Sequence, residues 1–138
     1  MFKRLLFLLC IFLPQGAMAW CYDHAATRYS INPSLLRAIA HVESGGNPKA
    51  LSRNSDGSED IGLMQINSVW LPKLASFGIR RKDLLDPCTS IQVGAWVLSL
   101  NVRRYGETWR AVGAYNSGRH EKREAYVRRV MLAYAQVK

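Results

Sequence analysis

The sequence predicts a mainly helical single domain with one small hairpin or open loop. Apolar residues recur at helical spacing in segments that begin at good N-caps and end at glycines. A polar stretch, residues 47–60, interrupts the helices and contains the turn sequence Asn54-Ser55-Asp56-Gly57. No repeat, low-complexity tract or linker interrupts residues 20–138, so we expect one compact domain.

Two short helices are predicted in the first part of this domain. The first covers residues 21–29. The second begins after Asn32, a good N-cap, has Pro33 at its first position and ends at Gly45 and Gly46. The polar stretch that follows fits a small hairpin or an open loop.

Four more helical segments are predicted after a compact apolar stretch at residues 62–67. Ser68 can cap a short helix there. The sequence Asp86-Pro87 opens a longer helix that ends at Gly106, and Thr108 can cap the segment that follows it. A final helix is expected to bury four apolar residues: Val127, Val130, Met131 and Tyr134.

Residues 1–19 have the composition of a secretory signal peptide. Lys3 and Arg4 precede an apolar run at residues 5–13, and Ala17-Met18-Ala19 is a small-x-small cleavage site. The run is too short to span a membrane, which disfavours the alternative of an N-terminal anchor. Cleavage after Ala19 leaves residues 20–138 as the mature domain, and we expect it in the periplasm.

The cysteines fit an oxidising compartment. Cys10 leaves with the signal peptide, while Cys21 and Cys88 remain and predict one disulfide. No lipobox-like small residue precedes Cys10 or Cys21, so we expect no lipid anchor after cleavage. Two cysteines without suitably spaced histidines form no zinc motif, and we expect neither a metal nor a cofactor.

The charge is strongly positive. The formal net charge of +9 falls to +7 without Lys3 and Arg4. A basic exported protein suggests an anionic polymer partner, namely cell wall, membrane surface or nucleic acid, although a charged soluble surface explains the excess as well. The sequence holds no nucleic-acid-binding module, and its export signal disfavours that partner.

Glu43 lies where a carboxylate is costly. Leu36, Ile39 and Ala40 precede it by seven, four and three residues, so they share its face of the predicted helix. Glu43 also lies in the last turn, where the helix dipole disfavours a negative charge. Both effects favour the protonated carboxyl that a general acid needs near neutral pH. The alternative is a half-exposed glutamate at a frayed helix end, paired with an arginine.

Three short segments carry the rest of the chemistry. They are Glu-Ser-Gly at 43–45, Gly-Leu-Met-Gln-Ile at 62–66 and Ala-Tyr-Asn-Ser-Gly at 114–118. Their order and spacing resemble the catalytic domain of soluble lytic transglycosylases over roughly residues 21–126. Three further segments are similar to the small transglycosylases of invasion-associated and conjugation-pilus secretion systems: 56–58, 60–67 and 86–88.

This resemblance implies a lysozyme-like α+β fold in which the hairpin or loop forms one wall of a substrate cleft. It also implies cleavage of the β-1,4 bond between N-acetylmuramic acid and N-acetylglucosamine in peptidoglycan. Glu43 is expected to protonate the leaving oxygen and then to take a proton from the muramyl C6 hydroxyl as it attacks C1. The product is a 1,6-anhydro sugar, so one carboxylate can suffice where glycosidases usually use two.

The resemblance also assigns six residues to the substrate subsites: Ser52, Gly62, Met64, Gln65, Tyr115 and Asn116. Ser52 matches a serine that hydrogen-bonds near the glutamate and the acetamido group, and Tyr115 matches a tyrosine whose hydroxyl lies near the glutamate. Gly62 lets the backbone approach the sugar closely. Taken alone, Ser52 reads as a loop serine and Tyr115 as a core tyrosine. Trp70 and Trp109 can stack on sugars, although helix packing explains them equally.

Two alternatives to the transglycosylase remain. Asp60 is a possible second carboxylate, because goose-type lysozymes carry acidic residues near this loop and hydrolyse the same bond; a turn residue that caps backbone amides is its simpler interpretation. A non-catalytic, basic wall-binding protein is the other alternative. The resemblance implies that a monomer cuts glycan strands beside a type III or type IV secretion or pilus machine.

Overall fold

The computed structural model describes residues 15–116 and 120–137, which form six α-helices and a small three-stranded sheet. The helices are α1 (Gln15–Tyr29), α2 (Pro33–Ser44), α3 (Leu71–Ala75), α4 (Pro87–Tyr105), α5 (Trp109–Asn116) and α6 (His120–Gln136). The strands are β1 (Leu51–Arg53), β2 (Glu59–Ile61) and β3 (Ile66–Asn67), and two short 3-10 helices cover Ser68–Trp70 and Arg81–Leu85. The predicted mainly helical fold with a small hairpin is confirmed.

Helix α2 begins and ends where the sequence predicts. The Asn32 side chain accepts a hydrogen bond from the Ser34 backbone N–H at 2.8 Å, which satisfies one of the free donors of the first turn. Gly45 ends the helix in the left-handed conformation, and its N–H donates to the His41 carbonyl at 2.9 Å. Leu36, Ile39 and Ala40 are buried, so the predicted apolar face is confirmed.

Helix α4 is the centre of the core. Asp86 caps it by accepting from the Thr89 N–H at 2.8 Å, and Gly106 ends it. Ile91, Ala95 and Leu98 are buried along one side. Because α4 packs against both α1 and α5, it fixes the position of α5 relative to the first half of the chain.

The sheet gives the polar stretch a defined register. Its strands are antiparallel in the order β1-β2-β3, and Asp60 pairs with Ser52 on one side and with Asn67 on the other. Directly paired residues point to the same face of a sheet. The register therefore places the side chains of Ser52, Asp60 and Asn67 in one row.

Helix α6 packs against α2 and α5, and of the four apolar residues predicted to be buried only Met131 is exposed. Tyr126 and Val130 are fully buried, whereas Met131 is 39% exposed. Val127 and Tyr134 are half-buried. The prediction for Met131 was wrong, and the buried side of the helix includes Tyr126, a residue with a polar tip that the apolar pattern left out.

The predicted disulfide is confirmed between Cys21 in α1 and Cys88 in the first turn of α4. It closes a loop with a sequence separation of 67 residues. A loop of that length contributes about 4 kcal/mol by restricting the unfolded chain. The predicted cleavage site after Ala19 falls within α1, and residues 1–14 lie outside the described part of the chain.

Gly62 and Gly94 allow two close contacts beneath the sheet. Gly62 has φ +77°, and a Cβ there would lie 2.1 Å from the Leu84 carbonyl oxygen. A Cβ on Gly94 would lie 2.7 Å from the Met64 Cε atom. Both contacts hold the turn after β2 against α4 and the 3-10 helix before it.

We expect Gly62→Ala to destabilise the fold much more than Gly78→Ala. Both glycines have a positive φ, +77° and +75°, but nothing lies within 4 Å of a Cβ at Gly78. Gly78→Ala should therefore cost only the ~1–2 kcal/mol of the left-handed conformation, and Gly62→Ala several times that figure. Urea unfolding of the two variants measures the difference. Equal losses would show that the contact with Leu84 does not constrain the fold.

Candidate active site

A cleft of about 520 Å³ lies between the end of α2, the sheet and the end of α5. Polar side chains make up most of its lining: Glu43, Asn54, Asp56, Ser58, Asp60, Gln65, Asn67, Asn116 and Lys122. Ile66, Trp70, Val97 and Tyr115 supply apolar surface. A polar groove with a few aromatic and aliphatic walls suits a carbohydrate chain better than an apolar ligand.

The three motif segments meet at this cleft through two hydrogen bonds to consecutive carbonyls. The Ser44 hydroxyl donates to the Leu63 carbonyl at 2.7 Å. The Tyr115 hydroxyl donates to the Met64 carbonyl at 2.8 Å. The turn at residues 62–65 is therefore tied on one side to the end of α2 and on the other to the end of α5, so Glu43 is positioned against both.

Glu43 has an unusual electrostatic environment for a carboxyl group. Its Oε1 atom is buried and has no hydrogen-bond partner among the described residues. The pKa of Glu43 is raised from 4.5 to about 7, chiefly by burial and, to a smaller extent, by the nearby negative charge of Asp60. Tyr126, Arg129 and Asn116 lower that pKa, but burial outweighs them. Glu43 is therefore substantially protonated near neutral pH.

Tyr126 of α6 is a residue of this site that the sequence analysis missed, as are Arg129 and the cleft residue Lys122. Tyr126 is fully buried, and its hydroxyl lies beside the Glu43 carboxyl. The two groups are close enough to affect each other's pKa, although their geometry falls outside that of a well-formed hydrogen bond. The burial and the Glu43 charge raise the Tyr126 pKa, which keeps the hydroxyl protonated as a potential donor.

Tyr115 lies near Glu43, as the resemblance implies, and it also ties down the neighbouring turn. Its ring lines the cleft and its pKa is raised by burial and by the charge of Glu43, so it does lie near the carboxyl. Its hydroxyl proton, however, is donated to the Met64 carbonyl. Tyr115 therefore fixes the turn behind Glu43, and Tyr126 is the tyrosine whose hydroxyl faces the carboxyl. Asn116 follows at the end of α5, exposed and close enough to lower the pKa of Glu43.

Asp60 lies in the same cleft and is held by side-chain amides. Asn54 Nδ2 donates to Asp60 Oδ2 at 3.0 Å, and Asn67 Nδ2 donates to Asp60 Oδ1 at 2.9 Å. The expectation that Asp60 caps backbone amides is not met in this structure, because the strand register places it between two asparagines. The carboxylate is thus fixed in place and raises the pKa of Glu43.

Gln65 lines the cleft, but its amide nitrogen is already engaged. Nε2 lies within hydrogen-bond distance of the carbonyls of Gly62 at 3.0 Å and Ala50 at 3.2 Å. Oε1 accepts from the Ser52 hydroxyl at 3.0 Å. Since both hydrogens of the amide are used, Gln65 can offer a sugar only the remaining acceptor site of Oε1. Ser52 acts here through Gln65 and is not among the residues that line the cleft.

Gly62 and Met64 support the cleft from behind. Both are buried, and neither is among the residues that line it. Met64 packs on Gly94, and its N–H donates to the buried Ser90 hydroxyl at 3.0 Å. The Met64 side chain packs on α4, and Gly62 packs on the Leu84 carbonyl. Either residue can therefore contact a sugar only through backbone atoms.

The remaining candidates divide between the cleft and the rest of the molecule. Trp70 lines the cleft and packs edge-on against Trp96, with ring centroids 5.2 Å apart. Trp109 packs against Tyr134 and is not among the lining residues. The described residues hold no group of three or more His, Cys, Asp or Glu side chains able to bind a metal ion. Within them, no helix is long and apolar enough to cross a bilayer.

The fold and the cleft are those of a glycan-cleaving domain, and comparison with known proteins identifies the family. The profile of the transglycosylase SLT domain matches residues 20–135. The chain belongs to this family and is a peptidoglycan lytic transglycosylase.

Two relatives and one solved structure show the extent of the similarity. Invasion protein IagB of Salmonella typhimurium is 42% identical over 96% of this chain and 87% of its own length. Protein IpgF of Shigella flexneri is 42% identical over 88% of this chain and 81% of its own length. Lytic transglycosylase Slt of Pseudomonas aeruginosa, solved as an inactive glutamate-to-glutamine mutant, superposes with a TM-score of 0.68 at 24% identity.

The match to Slt shows the lysozyme-like fold. It covers 88% of this chain but only 23% of Slt, so the chain spans about a quarter of that protein's length.

We expect the stability of the Glu43→Gln variant relative to the wild type to rise with pH. Between the unfolded pKa of 4.5 and the native value of about 7, the native state retains a proton that the unfolded chain has lost. Glu43 therefore costs the wild type nothing below the lower value and roughly 3 kcal/mol above the higher one. Glutamine has no such cost at any pH.

Urea unfolding at about pH 4 and about pH 8 measures this difference for both proteins. Glu59→Gln is the matched control, because the hydrogen bond and charge of Arg81 lower the Glu59 pKa. That variant should lose stability relative to the wild type as pH rises, the opposite sign. A pH-independent effect of Glu43→Gln would contradict the raised pKa.

Proposed function

We propose that this chain cleaves the β-1,4 bond between N-acetylmuramic acid and N-acetylglucosamine without water and releases a 1,6-anhydromuramyl product. The observation that carries the proposal is the Glu43 carboxyl, which is buried in a polar cleft and has a pKa of about 7. A carboxyl group with that pKa can both give and take a proton under ordinary conditions. The reaction needs one group that does both.

In the first step the protonated Glu43 donates its proton to the glycosidic oxygen, and the bond between that oxygen and the muramyl C1 breaks. The N-acetylglucosamine chain leaves with a new hydroxyl group. In the second step the Glu43 carboxylate takes the proton of the C6 hydroxyl as O6 bonds to C1. The acid is thereby regenerated, and no water enters the balance.

The surroundings of Glu43 suit both halves of this cycle. Burial favours the neutral acid before the first step. The Tyr126 hydroxyl beside it can stabilise the carboxylate that forms after proton transfer, because hydrogen bonds to a charged acceptor are stronger than those to a neutral one. We assign Tyr126 and Asn116 to this stabilisation, and Gln65 and Tyr115 to the substrate-facing wall.

A hydrolytic lysozyme is the second candidate, and the position of Asp60 favours it. This carboxylate lies in the same cleft and near enough to raise the pKa of Glu43. Two carboxyl groups across a cleft are the arrangement that hydrolytic glycosidases use to activate water. Against it, both Asp60 oxygens already accept hydrogen bonds from asparagines. A non-catalytic wall-binding protein does not need a buried carboxyl group with a raised pKa.

We also propose a cellular setting. Residues 1–19 would be removed as a signal peptide, and the mature monomer would act on glycan strands in the periplasm. One relative is named an invasion protein, which is consistent with local opening of the wall for a secretion or conjugation apparatus. We propose no nucleic acid, cofactor or membrane anchor for the mature protein.

Glu43→Gln should lower turnover by at least the ~10²–10⁴-fold that general acid–base catalysis supplies, because glutamine cannot cycle a proton. Mass spectrometry of muropeptides released from purified peptidoglycan measures both rate and product. The wild type should release muropeptides one water lighter than lysozyme products and without a reducing end. Reducing-end sugars as the main product would establish the hydrolytic alternative, and an active Glu43→Gln protein would remove the proposed role of this residue.

Asp60→Asn should retain much of the activity, since the non-hydrolytic reaction activates no water. Loss of the Asp60 charge should also lower the pKa of Glu43 and move the alkaline limb of the pH–rate profile to lower pH. A thermal melt controls for the altered contacts with Asn54 and Asn67. If the folded variant is as inactive as Glu43→Gln, Asp60 takes part in the chemistry and hydrolysis is the better assignment.

A further inference from the structure

A second groove lies between α5 and α6 and shares no lining residue with the catalytic cleft. Its volume is about 580 Å³. Trp109, Val127 and Met131 give it apolar surface. Its charged lining residues are three arginines and one glutamate, namely Arg110, Arg123, Arg128 and Glu124. Trp109 is 38% exposed and Met131 39%, so their apolar surface is open to a ligand.

Three guanidinium groups converge on one ring beside this groove. Arg104, Arg110 and Arg123 lie over Tyr105 at 5.3, 5.6 and 5.8 Å from its centroid. Contact with a ring offsets only part of the repulsion between like charges. Among the described residues, neither Arg104 nor Arg110 forms an ion pair with a carboxylate. Arg104 and Arg110 therefore present positive charge that no carboxylate of the described residues neutralises.

The positive charge of the domain is concentrated in this part of the chain. Residues 103–138 contain nine Lys or Arg and three Asp or Glu, whereas residues 20–102 contain eight and seven. Solubility does not require such an asymmetry. A local excess of arginine around an apolar groove instead matches a ligand that carries both carboxylates and apolar groups.

We propose that the groove between α5 and α6 binds an acidic segment of a partner protein. Its carboxylates pair with Arg104, Arg110 and Arg128, and its apolar side chains contact Trp109 and Met131. The planar guanidinium group matches the geometry of a carboxylate. A concave groove between two helices accepts protruding side chains, which a peptide has and a flat bilayer lacks. A second copy of this chain carries a net positive charge as well, so an acidic segment is the better match. The proposal is independent of the chemistry assigned to Glu43.

The test uses the mature protein and two synthetic peptides. One is rich in Glu with Leu or Phe at every fourth position, and its twin has each Glu replaced by Gln. Fluorescence anisotropy should show that the Glu peptide binds, that rising salt weakens it and that the twin does not bind. The double variant Arg104→Gln/Arg110→Gln should weaken binding by about tenfold or more. Failure of the Glu peptide to bind at low salt would overturn the proposal.

Two matched controls separate the groove from net charge. Arg28→Gln/Lys82→Gln removes the same charge elsewhere, and Arg28 also lies over a tyrosine ring. It should leave peptide affinity nearly unchanged. Met131→Gln should weaken binding, but Leu132→Gln, at a neighbouring and more exposed residue outside the groove, should not. If the two double charge variants weaken peptide binding equally, or if Met131→Gln and Leu132→Gln do, the attraction is non-specific.

Competing ligands complete the test. Vesicles containing phosphatidylglycerol and soluble muropeptides are titrated against the same proteins. If either binds in a manner that depends on Arg104 and Arg110 while the Glu peptide does not, the groove serves a membrane or the cell wall and the proposal is wrong. Hydrolysis or transglycosylation of peptidoglycan should be the same in the arginine variants and the wild type, since none of these residues lines the cleft.

Discussion

The rest of the site depends on one constraint, the burial of the Glu43 carboxyl without a strong partner. An unsatisfied buried carboxyl oxygen is costly, and a salt bridge or a set of backbone donors would remove the cost by ionising the group. The described residues supply neither. They supply instead a tyrosine hydroxyl and a neighbouring carboxylate, which together with burial keep the acid near the midpoint of its titration at neutral pH. The fold is therefore less stable because of Glu43, the residue that has to exchange a proton.

Such a group needs a rigid frame, and the turn at residues 62–65 provides it. Its backbone accepts hydrogen bonds from Ser44 and Tyr115 and donates one to Ser90 of α4. Gly94 allows Met64 to pack directly on α4. Because helices from both ends of the chain contact this turn, a shift of either would move Glu43 relative to the cleft.

Much of the fold and part of the site could be predicted because their causes are local. The cap at Asn32, the stop at Gly45 and the apolar face before Glu43 all lie within one helix, so spacing alone placed the carboxyl correctly. The disulfide followed from counting cysteines after removal of a signal peptide. The contact of Tyr126 with Glu43 could not be found in this way, because it depends on how α6 rotates against α2.

The other differences between the predictions and the structure arise from strand register and tertiary contacts. Asp60 is held by Asn54 and Asn67 only because the hairpin pairs as it does, and no composition rule fixes that register. Gly62 resembled a sugar contact in the motif, yet the carbonyl of Leu84 occupies the space next to it. The convergence of arginines on Tyr105 likewise requires three helices to be in place.

The titration of Glu43 itself tests the central claim most directly. Carbon-13 NMR of protein labelled at the glutamate side-chain carboxyl would follow each group with pH, and the signal missing from Glu43→Gln would identify the one of interest. The structure predicts a midpoint of about 7 for that signal, with Glu59 titrating below its usual range as an internal reference. A midpoint near 4.5 for Glu43 would show that the carboxyl is ionised at neutral pH and would contradict its role as the general acid.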